Sequence, residues 1–378
     1  MEQKKDSRYS IMGANFDAIQ IPKIREVRNK EWVYYGEKNL FPQLLIELYD
    51  SSAIHHTCVN AIKDGIYGEG IIQFGEEYVN SNGETLNEIF EKIALDYALY
   101  QGFALNVIWN KEGTRIAEMY HLPFANVRSG KMDDDDRVNE YFYSSDWNNM
   151  RKYAPTSYKS FSVTDNSEEN SNQIYYCYNY TPGNDVYPLP TYIGALNDIQ
   201  LDARVSKFHN SNISNGLAPS LFIQFRNGIP TPEERNDVYR EIEKTFSGEN
   251  NAGRFFLAFS EPGNELQVTP VEAANDDYYI TLEERITSRI LTSHRITSPL
   301  LLGVKTGGNG FSSNAEEMQI AYSHFENTVI DPMRKKVLSN LAYVFRLMGF
   351  NVKLTVTPNK IVDNLTGEVK IDDTTTEI

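Results

Sequence analysis

The chain has 378 residues, 40% of them hydrophobic, and a formal net charge of −16. That length suits two or three domains at roughly 100–200 residues each, and the apolar fraction excludes a disordered chain. The charge argues against a sequence-specific DNA binder, whose affinity rests on lysine and arginine neutralising phosphates. It suits either an ordinary acidic soluble protein or a wall that repels phosphates.

Residues 1–38 are polar with scattered aromatics (Trp32, Tyr34, Tyr35) and read as an arm packed on something else. Asn39-Leu-Phe-Pro42 opens a helix, because a missing N–H costs little in the first turn. A second helix places Ile54, Cys58 and Ile62 on one face, and Gly65, Gly68 and Gly70 are expected to break it before a strand at Ile71 to Phe74. Thr85-Leu-Asn-Glu88 is a capping box, opening a helix striped by Leu86, Ile89, Phe90, Ile93 and Tyr97 and ended by Gly102. Phe103 to Trp109 and Thr114 to Leu122 form a hairpin, and Tyr141 to Tyr143 and Ile174 to Tyr180 read as further strands. The Ser- and Asn-rich stretch Tyr158 to Gln173 reads as a surface loop, so residues 39–190 make one α+β domain.

A long polar helix follows over 191–216, with Thr191 as its N-cap and Gly216 at its end. Residues 217–277 form a compact insert: a strand at Leu221 to Phe225, a helix capped by Thr231-Pro-Glu-Glu234, and strands at Arg254 to Phe259 and Leu266 to Val271. A second polar helix occupies 278–298, capped at Thr281-Leu-Glu-Glu284 and stopped near Ser298 because Pro299 disfavours helical geometry before it. Residues 299–315 are an apolar turn running into a glycine-rich loop. A third helix (316–350) carries Met318, Phe325 and Val329, is interrupted at Asp331-Pro332, and ends at Gly349. Residues 351–378 hold a last strand, Val352 to Val356, and a loose tail.

Few residues suggest chemistry. The loop from Gly303 to Gly310 lacks the P-loop order, since Lys305-Thr306 precede Gly307-Gly308. Lys305 is the only charged side chain between Pro299 and Ala315 and suits a point contact with a phosphate. His55-His56 diverge on a helix and cannot share a metal as an i, i+4 pair does. Asp133 to Asp136 lacks the alternate spacing of a calcium loop and reads as a solvated turn. Cys58 and Cys177 match no metal spacing and are expected as thiols. No Gly-x-Ser-x-Gly elbow occurs, and no nucleophile–base set is visible. No enzyme, metal or cofactor is expected. The 24 tyrosines fit protein contacts or half-buried strand positions equally well. No apolar run approaches the ~18 residues of a membrane span, and the N-terminal residues lack a signal peptide's apolar segment, so synthesis in a cytoplasm is expected.

The order of these parts resembles the tailed-bacteriophage portal protein family over roughly residues 39–350. The pieces carrying the resemblance are Asn39-Leu-Phe-Pro42, Ser51-Ser-Ala-Ile-His-His56, Gly65-Ile-Tyr-Gly-Glu-Gly70, Asn215-Gly-Leu-Ala-Pro219, Asn250-Asn-Ala-Gly253, Ile296 to Gly303, Gly310 to Glu316, and Phe325 to Pro332. The resemblance implies an α+β portal fold with a wing domain (39–190), two long stem helices (191–216 and 278–298), and a small α/β clip insert (217–277). A glycine-rich tunnel loop (299–315), a kinked helix (316–350) and a short C-terminal crown complete it. It implies a ring, usually dodecameric, at a unique capsid vertex of the virion, assembled in the host cytoplasm. Its expected partners are the major capsid protein, the terminase large subunit, a head–tail adaptor and double-stranded DNA contacted without sequence specificity. Lys305, Thr306 and Asn309 would lie on the tunnel loop, and Glu233, Glu234, Asp237 and Arg240 would offer a partner surface on the clip. The other readings are a non-portal oligomeric connector protein of a phage and a soluble α+β binding module.

Overall fold

The computed structural model describes residues 19, 22–167, 170–214, 221–225, 231, 236–237, 255–259, 276–303, 315–359, 361–362 and 369–370. A short hairpin, β1 (Ile24–Glu26) and β2 (Val33–Tyr35), leads into α1 (Phe41–Ser51), α2 (Ala53–Tyr67) and α3 (Leu86–Tyr100). The strands β3 (Gly102–Trp109), β4 (Ile116–Leu122), β5 (Val127–Ser129), β6 (Glu140–Tyr143), β7 (Thr156–Ser160) and β8 (Asn172–Tyr178) follow. They form one six-stranded sheet in the order β4-β3-β8-β7-β6-β5, antiparallel except where β7 meets β8.

The reasons lie in local chemistry. Thr85 and Glu88 make the predicted reciprocal cap of α3, with each side chain accepting the other's backbone N–H. Pro42 sits in the first turn of α1. The apolar stripe of α3 (Leu86, Ile89, Phe90, Ile93, Tyr97) is fully buried, beside Phe103, Leu105 and Val107 of β3. Each such side chain contributes about 1.5–3 kcal/mol by leaving water. Tyr175 of β8, opposite Leu105 and so on that same face, joins Phe161 in meeting Tyr343 of a C-terminal helix.

The hairpin β1–β2 does pack on other parts of the chain. Val33 and Tyr35 belong to the main core, Tyr35 stacks on Tyr187 at 4.1 Å, and Trp32 meets Phe142 and Trp147. Beneath it lies Arg128, fully buried, whose N–H groups reach the Asn39 side chain (2.7 Å) and carbonyl (2.8 Å), Gln43 (3.0 Å), and the carbonyls of Ala125 and Val127 (2.8 Å each). Every guanidinium hydrogen thus finds an oxygen, which is what lets a cation stay in the interior. Many tyrosines are core residues with satisfied hydroxyls: Tyr187 donates to the Val33 carbonyl at 2.6 Å and Tyr192 to that of Leu99 at 2.7 Å.

Helix α4 (Leu196–Ser214) leaves the sheet domain, and α5 (Asp276–Ser293) returns to it. Between them β9 (Leu221–Phe225) and β10 (Phe255–Phe259) pair in parallel, which requires a crossover between them. After a 3₁₀ turn, Pro299–Leu302, come α6 (Ala315–Phe325), a π-helical turn (Glu326–Ile330) and α7 (Asp331–Leu347). A last pair, β11 (Ile361–Val362) and β12 (Val369–Lys370), is antiparallel.

Several expectations need correction. Gly65 does not break α2 but lies inside it, and Gly68 (φ +57) is the cap. Ile71 to Phe74 is not a strand, because Gly70 (φ +87) and Phe74 (φ +66) turn the backbone out of the extended region. Val352 to Val356 is no strand either, and touches this stretch through an isolated bridge, Val356 to Ile71. The polar stretch from Tyr158 is not all loop, since its two ends belong to β7 and β8.

Thr191 caps nothing: a 3₁₀ turn over Ile193–Ala195 runs directly into α4. Thr281 is interior to α5, which has already begun five residues earlier at Asp276. That helix stops at Ser293 rather than near Ser298. Arg295 turns left-handed (φ +59) there, and the Ile296 N–H bonds back to the Leu291 carbonyl at 3.0 Å, a C-terminal cap that acts before Pro299 can. At Asp331-Pro332 the helix widens into a π turn before the proline instead of breaking.

Candidate functional site at the helix junction

Helices α4 and α5 pack antiparallel. Ile199 and Ala203 from one, and Ile286 and Ile290 from the other, are buried. Two pairs span them, Arg289 to Asp198 and His209 to Glu283, each at 3.2 Å. These pairs are solvent-accessible and fix orientation more than they stabilise. Facing away from the core, α5 exposes Thr281, Glu284, Arg285, Ser288 and Thr292, a polar face with small hydroxyl residues.

The two helices are anchored to the sheet domain at one buried cluster. Ser52 caps α2 by accepting the His55 N–H at 3.2 Å, and its hydroxyl donates to Asp202 of α4 at 2.7 Å. Nδ1 of His55 lies 2.9 Å from Nε2 of His294, just beyond the end of α5, across 239 residues of sequence. Tyr192 closes the cluster, its ring 4.5 Å from His55 and 4.8 Å from His294. Burial, then the neighbouring His294 and His56, pushes the His55 pKa down to about 2, and burial pushes His294 down to about 3. Both rings are therefore neutral and one N–H is shared between them. The adjacent histidines do diverge as the sequence implies: His56 stacks on Tyr49 at 4.2 Å.

From this cluster the chain runs into the 3₁₀ turn, capped by Ser298 and closed by Gly303 (φ +72), and then into the glycine-rich segment. The 3₁₀ turn packs against α6, the helix that follows that segment. Lys305, Thr306 and Asn309 themselves lie outside the described residues, as do Glu233, Glu234 and Arg240. Asp237 is helical and exposed.

On the far side of the segment, α7 is clamped to α2. Arg334 is buried and donates to the carbonyls of Gly65 (2.5 Å) and Ile66 (3.3 Å), two last-turn acceptors of α2 that a helix cannot satisfy itself. It also pairs with Glu326 of the π turn at 2.5 Å. His294 and Arg334 escaped the sequence reading. The available signal was position: His55 shares a stripe with Val59, Ile62 and Ile66, and Arg334 one with Val337, Leu338 and Leu341.

Comparison with known proteins agrees with this architecture. An uncharacterized protein of Rickettsia bellii (strain RML369-C) is 25% identical over 257 residues, covering 67% of this chain and 60% of the relative. The probable portal protein of Escherichia phage P2 is 23% identical over 256 residues, covering 67% and 65%. The chain thus spans less than two thirds of the length of these curated relatives. Among solved structures, a chain from the virion of a native gene transfer agent particle superposes with a TM-score of 0.54 at 17% identity, covering 86% of both chains. Another, from the neck of the native particle computed with C12 symmetry, gives 0.54 at 18% identity, covering 86% of this chain and 84% of that one. At these identities the likeness is one of fold. The family model described as phage portal protein matches residues 80–361, well over half of the chain, and the chain belongs to that family.

Proposed function

We propose that this chain is one subunit of a portal ring at a unique vertex of a phage capsid, forming the channel through which DNA is packaged and ejected. The supporting observation is the family match over residues 80–361, which contains the α4–α5 pair, the insert between them and the glycine-rich segment. In this reading α4 and α5 are the stem helices, and residues 217–277 are the clip that docks the terminase and later the head–tail connector. The six-stranded sheet with α1 to α3 is the wing against the capsid protein, and the segment after Gly303 is the tunnel loop. The ring is dodecameric, and the protein itself catalyses nothing.

The physical logic is that of a bore that must not grip its cargo. A net charge of −16 repels phosphates, and the exposed face of α5 offers hydroxyls and a nearly balanced Glu284 and Arg285. Lys305, Thr306 and Asn309 would supply the few phosphate contacts, without base reading. Glu233, Glu234, Asp237 and Arg240 would meet the partner on the clip.

A tag on this chain, imaged in assembled particles, is expected at one vertex per capsid. A tag spread over the shell, or absent from particles, would overturn the assignment. Within that reading, Lys305→Ala slows packaging or weakens DNA retention; an unchanged rate removes Lys305 from the channel contacts.

A further inference from the structure

The His55–His294 contact has no role in any part of the portal reading, yet it is the buried link between α2 and the end of α5. His55 is fully buried and His294 is 2% exposed. They share a single ring-nitrogen bond of 2.9 Å, while Nε2 of His55 and Nδ1 of His294 have no hydrogen-bond partner among the described residues. In the neutral pair the ring that accepts the shared hydrogen carries its own hydrogen on its outer nitrogen, so one outer nitrogen is an N–H without an acceptor and the other is bare. A proton added to the bare one makes the pair a buried cation with two outer donors and nothing to accept either.

The surroundings offer no relief. On α2, His56 turns away to Tyr49, and His55 itself lies in the first turn, where the helix dipole opposes a cation. From the 3₁₀ turn before α4, the Tyr192 hydroxyl is committed to the Leu99 carbonyl. From α4, Asp202 is engaged by Ser52, and Asp198 by Arg289 of α5. Arg295, next to His294, is exposed, and its cation disfavours a second one beside it. His294 follows the C-terminal end of α5, where the dipole does favour a cation, but its ring is buried with its outer nitrogen unaccepted.

We propose that this contact is an acid-released latch, which holds the end of α5 and the start of the glycine-rich segment against α2. In the closed form the two imidazoles share one hydrogen. In the opened form each imidazole meets water and takes up its own proton. Acid therefore favours opening, while the sheet and the α2–α3 packing, which hold no such pair, stay closed. The inference needs only the folded chain, not the ring.

Hydrogen exchange on the intact chain tests it. Protection factors, which correct for the intrinsic pH dependence of exchange, are compared at pH 7.5 and 5.5. With ordinary imidazoles titrating near 6.5 in the opened form, protection over residues 290–303 is expected to fall by up to about 100-fold, and protection in β3 and β8 to hold. Equal loss everywhere, or unchanged protection over 290–303, would overturn the latch. In the double variant His55→Phe/His294→Phe, the local acid response should vanish; its persistence would contradict the proposal. If that variant does not fold, the wild-type comparison alone decides.

Discussion

Gly65 in the middle of α2 faces Ile330 in the π-helical turn so closely that a β carbon there would stand 2.7 Å from Ile330 Cδ1. The glycine is needed for contact and not for a turn, and it lets the π turn seat directly on α2. Gly65→Ala is expected to destabilise the fold by about 1–3 kcal/mol, as overpacking does in a close-packed interior, despite alanine's better helix propensity. Urea unfolding measures it. An unchanged or raised midpoint would show that the helices separate without cost.

The same contact is reinforced by Arg334. Replacing it with methionine leaves the Gly65 and Ile66 carbonyls and the Glu326 carboxylate without their donor, and Glu326 is itself largely buried. Removing one partner of a buried pair costs about 3–5 kcal/mol. Arg334→Met should therefore cost more than Gly65→Ala. Arg334→Lys should fall between wild type and Arg334→Met, because one ammonium cannot serve three divergent acceptors. Equal losses from the lysine and methionine variants would contradict a role for the fork geometry.

Global stability should also depend on acid with a definite sign. The folded pKa values of His55 and His294, about 2 and about 3, lie below the ordinary histidine value of about 6.5. Between these limits the unfolded chain binds protons that the folded chain does not. The neutral pair's contribution is thus intact above pH ~6.5 and is lost as pH falls, by up to about 1.4 kcal/mol per pH unit for each histidine. Unfolding free energies measured from pH 8 to 4.5, with and without His294→Phe, check this; parallel curves would contradict it.

These relationships show why some of the fold could be read from the chain and some could not. The α3 cap was legible because both partners, Thr85 and Glu88, lie within one turn. The strands Gly102–Trp109 and Ile116–Leu122 were legible from composition and a short polar turn. Thr281-Leu-Glu-Glu284 carries the same letters as a cap and caps nothing, because α5 has already started upstream. Ile71 to Phe74 has strand composition, but two left-handed residues override it. The junction itself was hidden. Ser52 finds Asp202, and His55 finds His294, only after the sheet has brought helices of distant sequence together. No local spacing encodes such a pair; only the place of His55 on an apolar stripe hinted at burial. The stem, clip and loop roles rest on family resemblance, and the loop and clip residues singled out for them fall outside the described residues, Asp237 excepted.

The central claim is that copies of the α4–α5 pair stand around a common axis and enclose a water-filled bore. Electron microscopy of the assembled protein, averaged without imposed symmetry, tests it most directly. The account predicts a closed ring, with this helix pair lining an opening wide enough for a DNA duplex. Single-copy particles, or a closed assembly whose α4 and α5 are buried away from any opening, would contradict it.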